Sequence, residues 1–455
     1  MAGQGLDEKD RLMPVDAVRG IAMLFIGVSH ISFYLINDSA TLAGQLRAIG
    51  FIATPNFLLM SGLACGYQLA AAPTSATAGR IVDRGLFAFL VGHLLVAGSL
   101  VYMVPPGTAF EHVVITDSIG VLLCMAPLLK HAPPARLLWL GAAIYLLCST
   151  FALGWHPVSP LQIVSGALLL SINDGAMPDI GWVSPTLPYM GIFLAGVGMG
   201  KLIRLCRHEG RSEWLNVRLA AAGSMAVVVA LVVNVARHFA KPVLMSHLAP
   251  KNWADVLLTT MNVRHDSPPT LGYALFYGGI GVALVGFLGL LPHKENLLNR
   301  LIRPVAVIGR ASFVAYVLQQ WVIDFVPVWL GFDTWLTPLT APIYLGLSTL
   351  LMYWVTLVWG RHKANRFMTL GLHGGAPPTA VFASAVLLAV AINILALTNA
   401  ARLTPDKLAL FPANPNAGSR KQWPGAADFG RSSTTRTVAS PLGTHASYAP
   451  SSELN

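Results

Sequence analysis

The chain has 455 residues, of which 55% are hydrophobic and only 11% are charged. A soluble domain carries about a quarter of charged residues, so this composition excludes an ordinary soluble protein and indicates a polytopic membrane protein. The formal net charge of +10 does not point to a nucleic-acid partner, because the basic residues lie in short stretches between apolar segments and form no contiguous stripe.

Eleven apolar stretches are long enough to cross a bilayer. They predict an all-α membrane protein in which about 11 transmembrane helices form one bundle. The stretch 161–172 is short for a crossing and is expected to be re-entrant or interfacial. The predicted spans are 14–36, 47–71, 83–104, 113–130, 135–153, 186–205, 216–238, 270–292, 304–330, 338–360 and 378–399.

Clusters of Lys and Arg between these stretches predict the orientation of the chain. If 161–172 does not cross, every major cluster, including the densest one at 201–218, falls on the side of the N-terminus. Because positive residues favour the cytoplasmic side, we expect the N-terminus in the cytoplasm and the C-terminus outside. The loop 239–269, which carries three basic residues, is then placed outside against this trend.

Composition also divides the chain into two regions. Residues 1–400 contain all the predicted spans, and residues 401–455 are rich in Pro, Ser, Thr, Ala and Gly without apolar periodicity. A segment of that kind buries too little surface to order itself, so a disordered C-terminal tail is expected.

The four cysteines show neither disulfide nor metal-ligand spacing, and we interpret them as packing residues. No metal site is therefore predicted. The cysteines are Cys65, Cys124, Cys148 and Cys206.

The first apolar segment carries three ionisable residues, Asp16, Arg19 and His30. Such groups are costly inside a bilayer, so they usually face the protein interior and mark a site. Arg19 and His30 are eleven residues apart, which places them on one helix face about 16 Å apart along the axis. Asp16, three residues before Arg19, can pair with it on that face.

The motif DAVRG at 16–20, followed by nine residues and His30, resembles the first-helix signature of the membrane acyltransferase type 3 superfamily, in which ten residues separate an arginine from a histidine. Five further pieces agree in order with its heparan-alpha-glucosaminide N-acetyltransferase-like and glucan succinyltransferase-like branches. One departure is clear, because Gln319 and Gln320 stand where relatives commonly carry histidine after the tyrosine. The pieces are TPNFLLMSG at 54–62, ITDSIG at 115–120, LPYMGIFLAGVGMGK at 187–201, HDSPPTLGYALFYGGIG at 265–281 and IGRASFVAYVLQQ at 308–320.

The resemblance implies that residues 1–400 form a transmembrane acyltransferase domain. Members transfer an acyl group from a cytoplasmic acyl-CoA, expected here to be acetyl-CoA, to a hydroxyl or amine of an acceptor. The implied acceptor is an extracytoplasmic saccharide or glycolipid of the cell envelope. A bacterial inner or plasma membrane is the expected location.

Within this scheme, His30 is predicted either to remove the acceptor proton or to carry the acyl group itself. Arg19 is predicted to meet the donor near the cytoplasmic side. Asp324 lies fourteen residues beyond Arg310, which places it at the depth of His30 and makes it a candidate to orient the imidazole.

Donor binding is assigned to residues near the predicted cytoplasmic side, in addition to Arg19. Arg80 and Arg84, four residues apart, suit bidentate contacts to CoA phosphates. Asp16 and Ser61 complete the predicted donor site, Ser61 as a contact to the acyl thioester.

Each of these residues also has a purely structural interpretation. His30 could be a core histidine, the arginines could anchor the protein at the membrane interface, and Ser61 with Gly62 could serve close helix packing. Asp117, at the start of a helix, is interpreted as a cap.

Two other function classes are alternatives to the enzyme. A secondary transporter also buries charges, but the later half of the chain holds no second copy of the first-helix motif. A sensor or scaffold with a degenerate site is favoured by the missing late histidine.

Overall fold

The computed structural model describes residues 12–32, 45–46, 48–100, 113–153, 184–247, 253–263, 269–292, 297–330, 336–362, 364, 368–372, 383–384, 386–395 and 397–398. All regular elements in these residues are helical, which confirms the predicted all-α class. The stretch 161–172 and the predicted tail at 401–455 lie outside the described residues.

The helices follow one another along the chain with few long interruptions. In order they are α1 Met13–Ile31, α2 Ala53–Ala71, α3 Ser75–Phe87, α4 His93–Ala97, α5 Ile115–Met125, α6 Pro134–Leu153, α7 Thr186–His208, α8 Ser212–His247, α9 Trp253–Thr260, α10 Leu271–Tyr273, α11 Gly279–Gly289, α12 Leu297–Arg310, α13 Ser312–Gln319, α14 Val326–Leu330 and α15 Thr340–Arg361.

Three π-helical turns join consecutive helices. Ala88–Gly92 joins α3 to α4, Ala274–Gly278 joins α10 to α11, and Gln320–Phe325 joins α13 to α14. A π turn rotates the residues that follow it relative to an uninterrupted α-helix, and such turns are frequent at functional sites.

Seven helices of the described part are long and apolar enough to cross a membrane, or eight if α12 and α13, which meet at 80°, form one broken span. Each of the eleven predicted segments contains helix. Three of them do not meet this test of length and hydropathy, because their helices are shorter or more polar: α3 with α4, Ile115–Leu129 and Val386–Leu395. The protein is therefore a polytopic helical membrane protein, as predicted. The seven are Met13–Ile31, Ala48–Ala71, Pro134–Ala152, Thr186–His208, Ser212–Pro242, Leu271–Gly289 and Thr340–Arg361.

One predicted boundary was wrong. Helix α8 continues to His247, so the first part of the expected loop 239–269 is helical, and α9 lies within the same region. Hydropathy marks where apolar residues give way to polar ones, whereas the backbone hydrogen bonds of a helix continue through both. Pro242 removes one of those bonds but does not end the helix.

Glycines allow the central helices to approach closely. A Cβ atom at Gly62 of α2 would collide with the Phe193 carbonyl of α7, and one at Gly200 of α7 would collide with the Leu63 carbonyl of α2. These contacts agree with the packing interpretation of Gly62. Backbones this close are typical of small-residue helix interfaces in membranes.

A second glycine contact joins α1 to α12. A Cβ at Gly20 would collide with the Val305 carbonyl, and a Cβ at Gly309 would collide with the Asp16 carbonyl. This crossing holds the charged first helix against the element that leads, through α13, to Asp324.

Candidate active site

Helix α1 presents its ionisable residues at two levels. Pro14 stands in the first turn, where a missing N–H costs nothing, and Asp16 follows within the same turn. Arg19 lies one turn further on, and His30 is next to the last residue of the helix. The two levels are therefore separated by most of the length of α1.

At the far level, His30 pairs with Asp324. Nδ1 of His30 and Oδ2 of Asp324 are 2.7 Å apart, although the residues are 294 positions apart in the chain. The Asp324 side chain is only 2% exposed, while the His30 side chain retains 26% exposure. Asp324 lies in the π turn Gln320–Phe325, which orients its carboxylate toward α1. The predicted match in depth is thus accompanied by direct contact.

Arg19 and Asp16 are arranged differently from the expected ion pair. Asp16 Oδ2 pairs with Arg310 Nε at 3.5 Å, and it acts on Arg19 through its charge. The Arg19 guanidinium instead donates from Nη2 to the Met60 carbonyl at 3.3 Å. The close α1–α12 crossing brings Arg310 to Asp16, which local spacing in α1 does not reveal.

The Arg19 Nε–H group is buried and has no hydrogen-bond partner in the part of the chain that the structure describes. A buried donor without a partner costs free energy comparable to a lost hydrogen bond, so it is a ready binding group for an anion or a carbonyl. Ser61, predicted at the donor site, directly follows Met60, the residue that accepts the Arg19 hydrogen bond.

Gln319, at one of the positions where relatives carry histidine, contacts α1 between the two levels. In the amide orientation that satisfies both of its polar atoms, it donates to the Met23 carbonyl at 3.2 Å and accepts from the Gly27 amide. A narrow crevice between α1, α13 and α15 is lined by these same residues together with Ser348. The departure from the family motif therefore places a neutral amide at the centre of α1.

Arg80 and Arg84 lie on α3, whose first turn is capped by Thr74. The Thr77 amide donates to Thr74 Oγ1 at 3.2 Å, and Arg80 Nη2 donates to Thr77 Oγ1, also at 3.2 Å. Arg84, one turn later, is exposed. Both lie near the start of a helical run whose other end carries His93.

The sequence interpretation missed a basic pair at the end of α7. Arg204 and Arg207 both donate to the Tyr67 hydroxyl, at 3.1 Å and 3.0 Å, and the Arg204 guanidinium lies 5.3 Å from the centre of the Tyr67 ring. Tyr67 is buried at the end of α2. The dense basic cluster was noticed only as a topology signal, although its three-residue spacing would place both arginines on one face.

A second His–Asp pair was also missed. His93 Nδ1 and Asp117 Oδ2 are 2.9 Å apart, joining α4 to the start of α5. Asp117 Oδ2 also accepts from the Val114 amide at 2.9 Å, which agrees with its interpretation as a helix cap. The available signal was a histidine within an apolar stretch of the sequence.

Comparison with known families decides which class of protein this arrangement resembles. Residues 11–231 match the family model described as heparan-alpha-glucosaminide N-acetyltransferase, catalytic. The N-terminal half is acyltransferase-like. This match confirms the resemblance drawn from the motifs, and no curated protein matches the chain. The matched stretch includes Arg19, His30, His93 and Asp117, whereas Asp324 lies beyond it.

Proposed function

We propose that this membrane protein transfers an acyl group, in the first place acetyl, from cytoplasmic acyl-CoA to an acceptor on the opposite side of the membrane. The observation that carries the proposal is the His30–Asp324 pair on the motif-bearing first helix, within 2.7 Å of each other. The family match supports the reaction class, since the matched domain is named for N-acetyl transfer to a glucosaminide. A saccharide or glycolipid hydroxyl or amine is the proposed acceptor.

The pair has the geometry of a general base. With Nδ1–H donating to Asp324, the imidazole presents the lone pair of Nε2 to an acceptor. As the acceptor oxygen or nitrogen attacks the thioester carbon, its proton passes to Nε2. When the carbon–sulfur bond breaks, the imidazolium returns that proton to the leaving thiolate, so His30 ends the cycle as it began.

On the donor side, we assign Arg19 to the part of acyl-CoA that reaches the interior, because its buried Nε–H group faces no described partner. Asp16 holds the neighbouring Arg310, and Ser61 lies beside the Arg19 contact. The phosphates of CoA suit Arg80 and Arg84, as guanidinium groups bind phosphate in a bidentate manner. The paired Arg204 and Arg207 offer a second phosphate site of the same chemistry.

The proposal is tested with purified protein in lipid nanodiscs, [14C]acetyl-CoA and an oligosaccharide that contains glucosamine. A parallel comparison by mass spectrometry of envelope glycans and lipids from cells with and without the protein searches for one lost acyl increment. We expect label in the saccharide and loss of that increment. Absence of both, with folded protein that still binds acetyl-CoA, would contradict acyl transfer.

Two variants of His30 test the assignment of the base. His30→Ala is expected to abolish transfer, and His30→Gln, which keeps a donor for the buried Asp324 carboxylate, is expected to fold and yet remain inactive. The exposed His131, in the turn before α6, provides the matched control His131→Ala. Normal transfer by either His30 variant would overturn the assignment.

A further inference from the structure

The two His–Asp pairs of the described chain have the same construction. In each, a carboxylate that is almost fully buried accepts a hydrogen bond from imidazole Nδ1. The imidazole keeps about a quarter of its side-chain surface exposed. The exposed fractions are 24% for His93 and 6% for Asp117, and 26% for His30 and 2% for Asp324. A buried carboxylate on Nδ1 fixes the tautomer and the direction of the ring. Both imidazoles are therefore oriented for the same kind of chemistry at Nε2.

One helical segment touches both pairs. Trp321, in the turn that carries Asp324, donates from Nε1 to the Leu95 carbonyl at 2.8 Å, two residues after His93. Phe313, further back on the same segment, lies against Gly92, the residue before His93. The segment 312–325 therefore lies beside both pairs.

The two imidazoles also lie at similar distances from the starts of their helical runs. His30 is seventeen residues from the start of α1 and His93 is eighteen residues from the start of α3. At about 1.5 Å per residue, each lies about 25 to 27 Å from the start of its helix.

The surroundings of the second pair hold buried polar atoms that the described residues leave without hydrogen bonds. These are Asp117 Oδ1 and Thr116 Oγ1, and Thr116 lies against the π turn Ala88–Gly92 just before His93. Orphaned buried polar atoms are uncommon in folded proteins and point to a polar ligand or bound water. A purely structural His–Asp pair explains neither these atoms nor the retained exposure of the imidazole.

We infer that His93, held by Asp117, is a second catalytic residue of the proposed acyl transfer and stabilises the oxyanion of the tetrahedral intermediate. This inference rests on the proposed function. His30 takes the acceptor proton while the acceptor bonds to the thioester carbon. His93 donates its Nε2–H as a hydrogen bond to the carbonyl oxygen, on which negative charge builds. When the carbonyl re-forms and the carbon–sulfur bond breaks, the thiolate takes the proton from His30. His93 keeps its own proton throughout.

A hydrogen-bond donor of this kind acts mainly in the transition state, and removing one costs about 10²- to 10³-fold in kcat. His93→Ala should show that loss while the KM for acetyl-CoA changes by less than about threefold. His93→Gln supplies an amide N–H in place of the imidazole N–H and should recover at least about tenfold of the loss. A merely structural histidine would show no such selective rescue in kcat.

The measurements use full-length protein in nanodiscs, with [14C]acetyl-CoA and the same saccharide. Binding of acetyl-CoA is measured independently by scintillation proximity, so that rates refer to folded protein, and His131→Ala is again the control. The inference is overturned if His93→Ala keeps kcat within about threefold, if Gln gives no rescue, or if acetyl-CoA binding falls in parallel with kcat. An inactive His30→Gln beside a fully active His93→Ala would reject this inference alone, whereas inactive wild-type protein would reject the proposed function.

Discussion

At the scale of single residues, three pairs have a carboxylate that is less exposed than its partner: His30–Asp324, His93–Asp117 and Arg310–Asp16. The Asp16–Arg310 contact follows this pattern, with 14% and 36% exposure. Breaking such a pair from one side leaves a buried charge, which costs several kcal/mol. Conservative substitutions that keep a hydrogen bond are therefore the informative ones.

Asp324→Asn should keep the shape of the site but favour the wrong tautomer of His30. We expect kcat to fall by about 10² to 10⁴, as when a triad carboxylate is replaced by its amide. Steady-state rates with [14C]acetyl-CoA measure the loss.

The double variant His30→Gln with Asp324→Asn should be no worse than His30→Gln alone, because residues that act as one unit have non-additive effects. Additive losses would show that Asp324 acts independently of His30.

Arg207→Gln should raise the KM for acetyl-CoA and leave kcat unchanged, since a phosphate contact stabilises ground state and transition state alike. The matched control is Arg211→Gln, because Arg211 is exposed and pairs at 3.2 Å with Glu209 on the adjoining turn. Equal KM values for the two variants would show that the end of α7 does not contact the donor.

At the scale of elements, glycine contacts decide how closely the helices approach, and π turns decide which side chains face inward. Lys201 of α7 makes a polar contact between helices. Its ammonium donates hydrogen bonds to the carbonyls of Leu129, Lys130 and Ala132 at 2.7, 3.0 and 2.7 Å. Leu129 ends the helical run that begins with α5, and Lys130 and Ala132 lie in the turn that follows, where the carbonyls have no donor from the helix itself. These hydrogen bonds connect the end of α5 to α7 near Tyr67, which lies against Gly200.

Gly20→Ala should destabilise the protein, because the added Cβ collides with the Val305 carbonyl at the α1–α12 crossing. Gly346 of α15 has open space around the position of a Cβ, so Gly346→Ala should be neutral or stabilising by up to about 1 kcal/mol from helix propensity. Thermal unfolding in detergent, followed by intrinsic fluorescence, compares the two. A melting temperature for Gly20→Ala equal to that of the wild type would contradict the crossing.

At the scale of the whole molecule, the orientation of the chain is a prediction from its basic clusters. In a variant that lacks the four native cysteines, single cysteines at Gly210 and His131 should react with an impermeant maleimide only after the cytoplasmic side is opened. A cysteine at Thr337, in the turn before α15, should react from outside and serves as the control. Outside labelling at Gly210 with cytoplasmic labelling at His131 would restore 161–172 as a further span.

Much of this protein follows from local patterns in the chain. Apolar length predicts the membrane-spanning helices, because a bilayer demands about twenty apolar residues whose backbone groups are all hydrogen-bonded, whatever the partners are. The charges on α1 and the spacing of Arg19 and His30 indicate a site and a family for the same local reason. Helix ends were less predictable, as α8 shows, because hydropathy and backbone hydrogen bonding do not stop at the same residue.

Partnerships between distant residues were decided only by the tertiary structure. Asp324 could be placed at the depth of His30, but a π turn sets its direction, and the carboxylates that pair with His93 and Arg310 lie on other helices. Depth along a helix depends on sequence distance alone, whereas rotation depends on glycine crossings and π turns that bring together residues up to 294 positions apart. For that reason the sequence located one imidazole, and the packed helices revealed two.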